Sequence, residues 1–267
     1  MSLLRISLHA SVLRQFAAVL VSALFLGLGY AQQAPDEPEP GEHHNGSHSQ
    51  GSHRHGENGH GQTGIEEPGA GEVLVHRFTD TQRWIDCFER PGRAEYQMPD
   101  RVVETLGVEP GQTVADIGAG SGYFSFRLAR AVGAAGRVLA VDIEPGMLAA
   151  IDERRGSEEG GEVVETVLAR SGDPLLPDGE VDLVLIVNTL HHIPDRVEYF
   201  RRLQGDLSSG GRIAVVDFQK RDLPVGPPPP HKLAREEVIA TFEAAGYSLD
   251  QEETFLPYQY FLVFAVE

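Results

Sequence analysis

What this sequence has little of narrows it first. Across 267 residues there is one cysteine, Cys87, so neither an intramolecular disulfide nor a cysteine-based zinc site can be built. A lone thiol is compatible with either redox compartment. Basic residues are also scarce, with 22 Lys and Arg against 40 Asp and Glu and a net charge of −18. A phosphate backbone needs a basic stripe. None is visible, which excludes nucleic acid as the expected partner and favours a small or neutral molecule. The acid excess persists within residues 73–267, where 32 acidic side chains face 19 basic ones. No apolar run reaches the roughly 20 residues that a membrane span requires.

The run that comes nearest, residues 16–29, is broken only by Ser22 and follows Arg5 and Arg14. Gly29 and Ala31 then place small residues at the −3 and −1 positions before Gln32. A positive start, a 14-residue apolar stretch and a small-residue exit predict a secretory signal peptide over 1–31. That reading implies a periplasmic or secreted domain with no stable membrane insertion once the leader is removed. Two other readings are an uncleaved anchor with the domain outside, and a cytoplasmic enzyme whose start site is misassigned. No cysteine follows the run, so it is not a lipoprotein anchor.

Residues 32–72 are rich in Pro, Glu, Gly, Ser and His and hold almost no large apolar side chain. Such a segment cannot bury enough surface to offset its chain entropy and is predicted to be a disordered linker. His43, His44, His48, His53, His55 and His60 fall within eighteen of its residues. Neutral imidazoles in a flexible tract bind zinc, copper or nickel loosely. The plainer alternative is a solvated linker of biased composition, and the irregular spacing argues against a defined metal site.

From residue 73 the pattern changes. Helical periodicity over 73–108 gives way to alternating strand and helix signals. Strands are expected at 113–117, 137–141, 163–168, 181–187 and 212–218, the last after a Gly210-Gly211 turn. Helices are expected at 123–132, 145–154, 195–207 and 236–245. Two closing strands, about 248–255 and 258–266, have no helix between them. This alternation predicts a doubly wound, mostly parallel α/β sheet with helices on both faces and an antiparallel strand in the closing pair.

The most informative segment is Val114-Ala115-Asp116-Ile117-Gly118-Ala119-Gly120-Ser121-Gly122-Tyr123-Phe124. It runs from a strand through a glycine turn into a helix, where open α/β sheets bind ligands. The dinucleotide fingerprint spaces its glycines as Gly-x-Gly-x-x-Gly. Here they stand at 118, 120 and 122, and position 123 is Tyr. Asp116 would repel a pyrophosphate, yet it suits the ammonium of a methionine moiety. Downstream, Asp142 ends the second strand in Leu139-Ala140-Val141-Asp142-Ile143, where a carboxylate can accept hydrogen bonds from two ribose hydroxyls. Its alternative role is to cap the helix that follows.

The pattern Asp-x-Gly-x-Gly-x-Gly, with Asp142 beyond it, resembles the first motifs of class I S-adenosylmethionine-dependent methyltransferases. The resemblance extends over nearly all of 73–267, toward the branch containing the ubiquinone and menaquinone C-methyltransferases. It implies a Rossmann-like seven-stranded sheet and S-adenosylmethionine as cofactor. The cofactor contacts it implies are Asp116, Gly118, Gly120, Gly122, Asp142 and Ile143, with Asp173 bordering the adenine and Asn188 lining the pocket. The family's usual Asp-Ala pair is missing from Arg170-Ser171-Gly172-Asp173-Pro174, and Asp173 is equally suited to a turn. Asn188-Thr189-Leu190-His191-His192 matches the motif over the transferable methyl. One of His191 and His192 is the candidate catalytic base; the alternative is a structural or capping role. Asp217 borders the same cleft, and residues 93–98 are expected to form part of a lid.

The function implied is methyl transfer to a small-molecule acceptor by direct in-line displacement. Two competitors are a nicotinamide-dependent oxidoreductase, which the glycine spacing and Asp116 oppose, and an exported metal-binding protein on a non-catalytic methyltransferase-like fold. Export and a cofactor made in the cytosol pull against each other.

Overall fold

The computed structural model describes residues 81–267. The leader over 1–31, the linker over 32–72 with its six histidines, and the first residues of the 73–267 domain lie outside the described residues. Three helices come first: α1 (Thr81–Phe88), α2 (Arg93–Gln97) and α3 (Pro99–Leu106). Pro99 opens α3 and Gly107, at φ 59°, closes it, the positions where a missing N–H and a left-handed residue cost least.

The sheet then alternates with helices: β1 (Thr113–Ile117), α4 (Ser125–Val132), β2 (Arg137–Asp142), α5 (Pro145–Arg154), β3 (Val164–Leu168) and β4 (Val181–Val187). After α6 (Arg196–Leu203) come β5 (Leu207–Phe218), α7 (Arg235–Ala244), β6 (Tyr247–Glu253) and β7 (Gln259–Val266). The seven strands lie in the order β3-β2-β1-β4-β5-β7-β6. β1 to β5 run parallel, and β7 enters antiparallel to both β5 and β6. Strand order reverses between β1 and β4, the switch point at which such sheets bind ligands.

Buried side chains cover both faces. Val102, Leu106, Phe126, Leu128 and Ile151 pack one face from α3, α4 and α5. Tyr199, Phe200, Leu203, Val238 and Phe242 pack the other from α6 and α7. The continuous apolar run of β4 is explained by this double cover.

Two expectations are corrected. Gly210 and Gly211 do not form a turn ahead of the fifth strand; they sit inside a single twelve-residue β5. Leu207 pairs with Val181 and Arg212 with Leu183, so the intervening residues bulge out of register. A side chain at Gly211 would meet the Val181 carbonyl at 2.8 Å, which is why the bulge closes on glycine. The helix expected from 195 to 207 ends at Leu203, because Leu207 has already joined the sheet.

Candidate active site

The glycine turn leaves β1 at the switch point and is pinned to β2. Gly118 and Ala119 donate their N–H groups to the Val141 carbonyl at 2.8 and 3.0 Å. Gly120 N–H donates to Asp142 Oδ2 at 2.9 Å, and Glu144 N–H donates to Asp142 Oδ1 at 3.0 Å. One carboxylate thus holds the turn and the start of α5 together. Burial raises the carboxyl's pKa, and the backbone N–H groups of Glu144, Gly120 and Ile143 oppose the rise. Gly118 has φ +77°, and a Cβ there would lie 2.2 Å from Thr189 Oγ1; a side chain fits neither the backbone nor the space. Phe88 of α1 packs over Gly120. Glu89 accepts from Ser121 Oγ at 2.7 Å, while Arg154 bridges Glu89 and the Ser121 carbonyl. α1 is therefore tied directly over the glycine turn.

Asp116 lies beneath that turn, 2% exposed. Burial lifts its carboxyl to about 6; the Ser125 hydrogen bond and the nearby Arg93 guanidinium oppose the rise, and Asp142 adds to it. Ser125 Oγ donates to Asp116 Oδ2 at 2.6 Å. The sign follows from the raised value: the group is mostly charged at neutral pH and is neutralised as pH falls through about 6. If Asp116 balances a ligand ammonium, S-adenosylhomocysteine should bind roughly tenfold more weakly at pH 5 than at pH 7, since one pKa unit is a factor of ten in charge-state population. Calorimetry across that range checks this, and a flat profile removes Asp116 from ammonium recognition.

The second half of the site forms where β4 ends. Asn188 takes a left-handed φ of 53°, turning the chain into a 3-10 turn over Leu190–His192. His191 Nδ1 lies 3.1 Å from Asp217 Oδ2 at the end of β5, and the Phe218 N–H donates to Asp217 Oδ1 at 2.8 Å. The pair is buried, with side-chain exposures of 9% and 1%. The His192 ring lies beside that of His191, with centroids 4.1 Å apart and planes tilted by 46°. The N-cap of α6 is Asp195, which makes no side-chain capping bond. Tyr260, opposite Asp217 on β7, keeps a buried hydroxyl with no hydrogen-bond partner among the described residues. Lys232, 2% exposed, closes the segment after β5 by donating to the Arg221 carbonyl at 2.9 Å.

The structure brings Asp116, Gly118, Gly120, Gly122 and Asp142 to one edge of the sheet, with Asn188, His191 and His192 at the tip of the adjoining strand. Ile143 is 41% exposed beside Asp142, an apolar surface facing solvent. Asp173, in the loop after β3, forms a bridge with Arg170 and accepts the Leu175 N–H at 2.9 Å. Its charge acts on Tyr199 and Asp206 of the α6 region. Arg93 to Met98 form α2 and its cap, with the Arg93 guanidinium 4.0 Å above the Tyr123 ring. No cluster of three potential metal ligands occurs among the described residues. Ser125, Gln97 and Gln259 were not marked by sequence reasoning. A glutamine opening the otherwise apolar strand β7 was the available signal for one of them.

A mostly parallel sheet, a glycine turn clamped by an acid at the end of β2, and a buried acid beneath it define a Rossmann-like domain of the methyltransferase type. The comparisons agree. A methyltransferase-domain family profile matches residues 115–215. The ubiquinone/menaquinone biosynthesis C-methyltransferase UbiE of Hahella chejuensis is 31% identical over 123 residues, 46% of this chain and 49% of that protein. UbiE of Cellvibrio japonicus is 34% identical over 121 residues, 44% of this chain and 47% of that protein. The chain thus spans about half the length of these curated relatives. A SAM-dependent methyltransferase from Aquifex aeolicus superposes with a TM-score of 0.66 at 25% identity, covering 70% of this chain and 99% of that one. The described domain has the fold of a SAM-dependent methyltransferase and is similar in sequence to the UbiE C-methyltransferases.

Proposed function

We propose that the domain transfers a methyl group from S-adenosylmethionine to a small-molecule acceptor, with His191 as general base. The observation that carries this reading is the buried His191–Asp217 pair at the tip of β4, beside a glycine turn shaped for the cofactor. When bound, the cofactor supplies a methyl group already activated by a sulfonium. The chain's own residues then have to bind, orient and exclude water. Asp142 and the turn hold the nucleoside end, with Asp142 offering its remaining lone pairs to the ribose. Asp116 faces the amino-acid end. At the β4 tip, Asp217 takes the Nδ1–H of His191 and fixes its tautomer, leaving Nε2 to receive the acceptor's proton.

Calorimetry on the full chain tests the reading. S-adenosylmethionine or its demethylated product is expected to bind, and NAD is not. The reverse preference would overturn the methyltransferase reading in favour of a nicotinamide enzyme.

A further inference from the structure

A buried chain of polar side chains joins α2 to the tip of β4. Arg93 Nε donates to Gln97 Oε1 at 2.5 Å, and Gln97 Nε2 donates to Gln259 Oε1 at 3.4 Å. Gln259 Nε2 in turn donates to Asn188 Oδ1 at 2.6 Å. Gln97 and Gln259 are 0% and 1% exposed, so neither can exchange a poor protein partner for water.

The oxygen and nitrogen of a side-chain amide have nearly the same shape, so only the bonding chemistry orients them. Here one end is decisive. A guanidinium has donors and no acceptor, so Gln97 must turn its oxygen toward Arg93. Its NH₂ group then needs an acceptor, which makes Gln259 present its oxygen. The Gln259 NH₂ group in turn claims the oxygen of Asn188. Reversing any single link would set two buried donors or two buried acceptors face to face. The direction set by Arg93 is thereby carried across three elements to a residue 95 positions away.

At the far end Asn188 is half-buried, and its Nδ2 makes no hydrogen bond among the described residues. We propose that Arg93, Gln97 and Gln259 form a positioning relay that fixes Asn188 as a hydrogen-bond donor in the cleft. The methyl acceptor then presents an oxygen lone pair there, from a carbonyl, carboxylate or phenolate. The orientation of Asn188 stands on the relay alone; naming its ligand as the methyl acceptor rests on the methyltransferase reading.

Gln97→Glu tests the relay without touching the cleft. The new carboxylate still accepts from Arg93, but it can only accept from Gln259, which turns its NH₂ group toward it. Asn188 then turns to donate to Gln259 and exposes its oxygen. Gln259→Glu forces the same reversal from the middle, because its carboxylate accepts from both neighbours. Hydrogen exchange of the Asn188 side-chain amide, read by nitrogen-15 NMR on the full chain, should slow at least tenfold in both variants. In Gln97→Met, which cuts the first link without imposing the reverse direction, the slowing should be smaller than in the glutamate variants. Unchanged exchange in the glutamate variants, or equal slowing in Gln97→Met, overturns the relay.

The ligand class is read with 4-nitrophenolate and 4-nitroaniline on the chain loaded with S-adenosylhomocysteine, by absorbance. The wild type should prefer the phenolate at least tenfold, and Gln97→Glu should erase that preference. An unaltered preference, or no binding of the phenolate, overturns the acceptor assignment. Failure of S-adenosylhomocysteine itself to bind overturns the methyltransferase reading instead and leaves the amide-exchange result standing.

Discussion

Replacing His191 with alanine is expected to lower methyl transfer by roughly 10²–10⁴-fold, the range for loss of a positioned general base. Affinity for S-adenosylhomocysteine is expected to change little, because the histidine lies on the strand tip and not in the glycine turn. The comparison that matters is between turnover and folding. His191 is buried against Asp217, so its removal strips a hydrogen bond from a buried carboxylate and costs stability as well. A purely structural histidine would therefore give a lower melting temperature and a turnover within a few-fold of the wild type. A catalytic one gives the large rate loss, partial rescue by added imidazole, and a similar loss in Asp217→Asn, where the tautomer is no longer fixed. Labelled methyl transfer into a cell-envelope extract, run beside thermal melts of the same proteins, separates the two.

Gly118→Ala carries the second large effect, and it falls on binding. The residue has φ +77°, and a Cβ would approach the Thr189 side chain to 2.2 Å. Thr189 cannot readily swing aside, since its hydroxyl is held by the Val187 carbonyl at 3.0 Å. A left-handed alanine costs about 1 kcal/mol, and overpacking adds about 1–3 kcal/mol. Relief of both comes from displacing the turn whose Gly120 N–H holds Asp142, the proposed ribose partner. Calorimetric affinity for S-adenosylhomocysteine should fall by about 30- to 1,000-fold, and Thr189→Gly added to Gly118→Ala should restore part of it. An alanine variant that melts earlier but binds equally well would make Gly118 a folding residue only.

What could be read from the sequence was what is local. The turn from Asp116 to Gly122 and the acid at Asp142 announce themselves because one backbone turn needs glycines at fixed spacing. The order of strands followed from the alternation of patterns, and the long apolar β4 from its double burial. Errors arose where a local signal had two meanings. Gly210-Gly211 reads as a turn in one dimension, yet the pairing of Leu207 with Val181 keeps both glycines in β5. Tyr123 and Phe124 fit a helical stripe but lie in the turn before Ser125. His191 and Asp217 were each placed near the cleft, whereas their mutual contact depends on the parallel pairing of β4 with β5. The bond between Gln97 and Gln259 spans 162 positions. No spacing rule in one sequence reaches that far.

Side-chain alternation along the strands has a further effect. Asp116 follows Val114 toward the layer of α3, α4 and α5, while Asp217 follows Val215 toward the layer of α6 and α7. The proposed ammonium partner and the proposed general-base pair thus hang from opposite sides of one sheet. Groups that share no packing neighbour tend to contribute additively to free energy. The two chemical duties are therefore separable in this molecule: a lineage could retune which compound it methylates without disturbing how it holds its methyl donor, and the reverse.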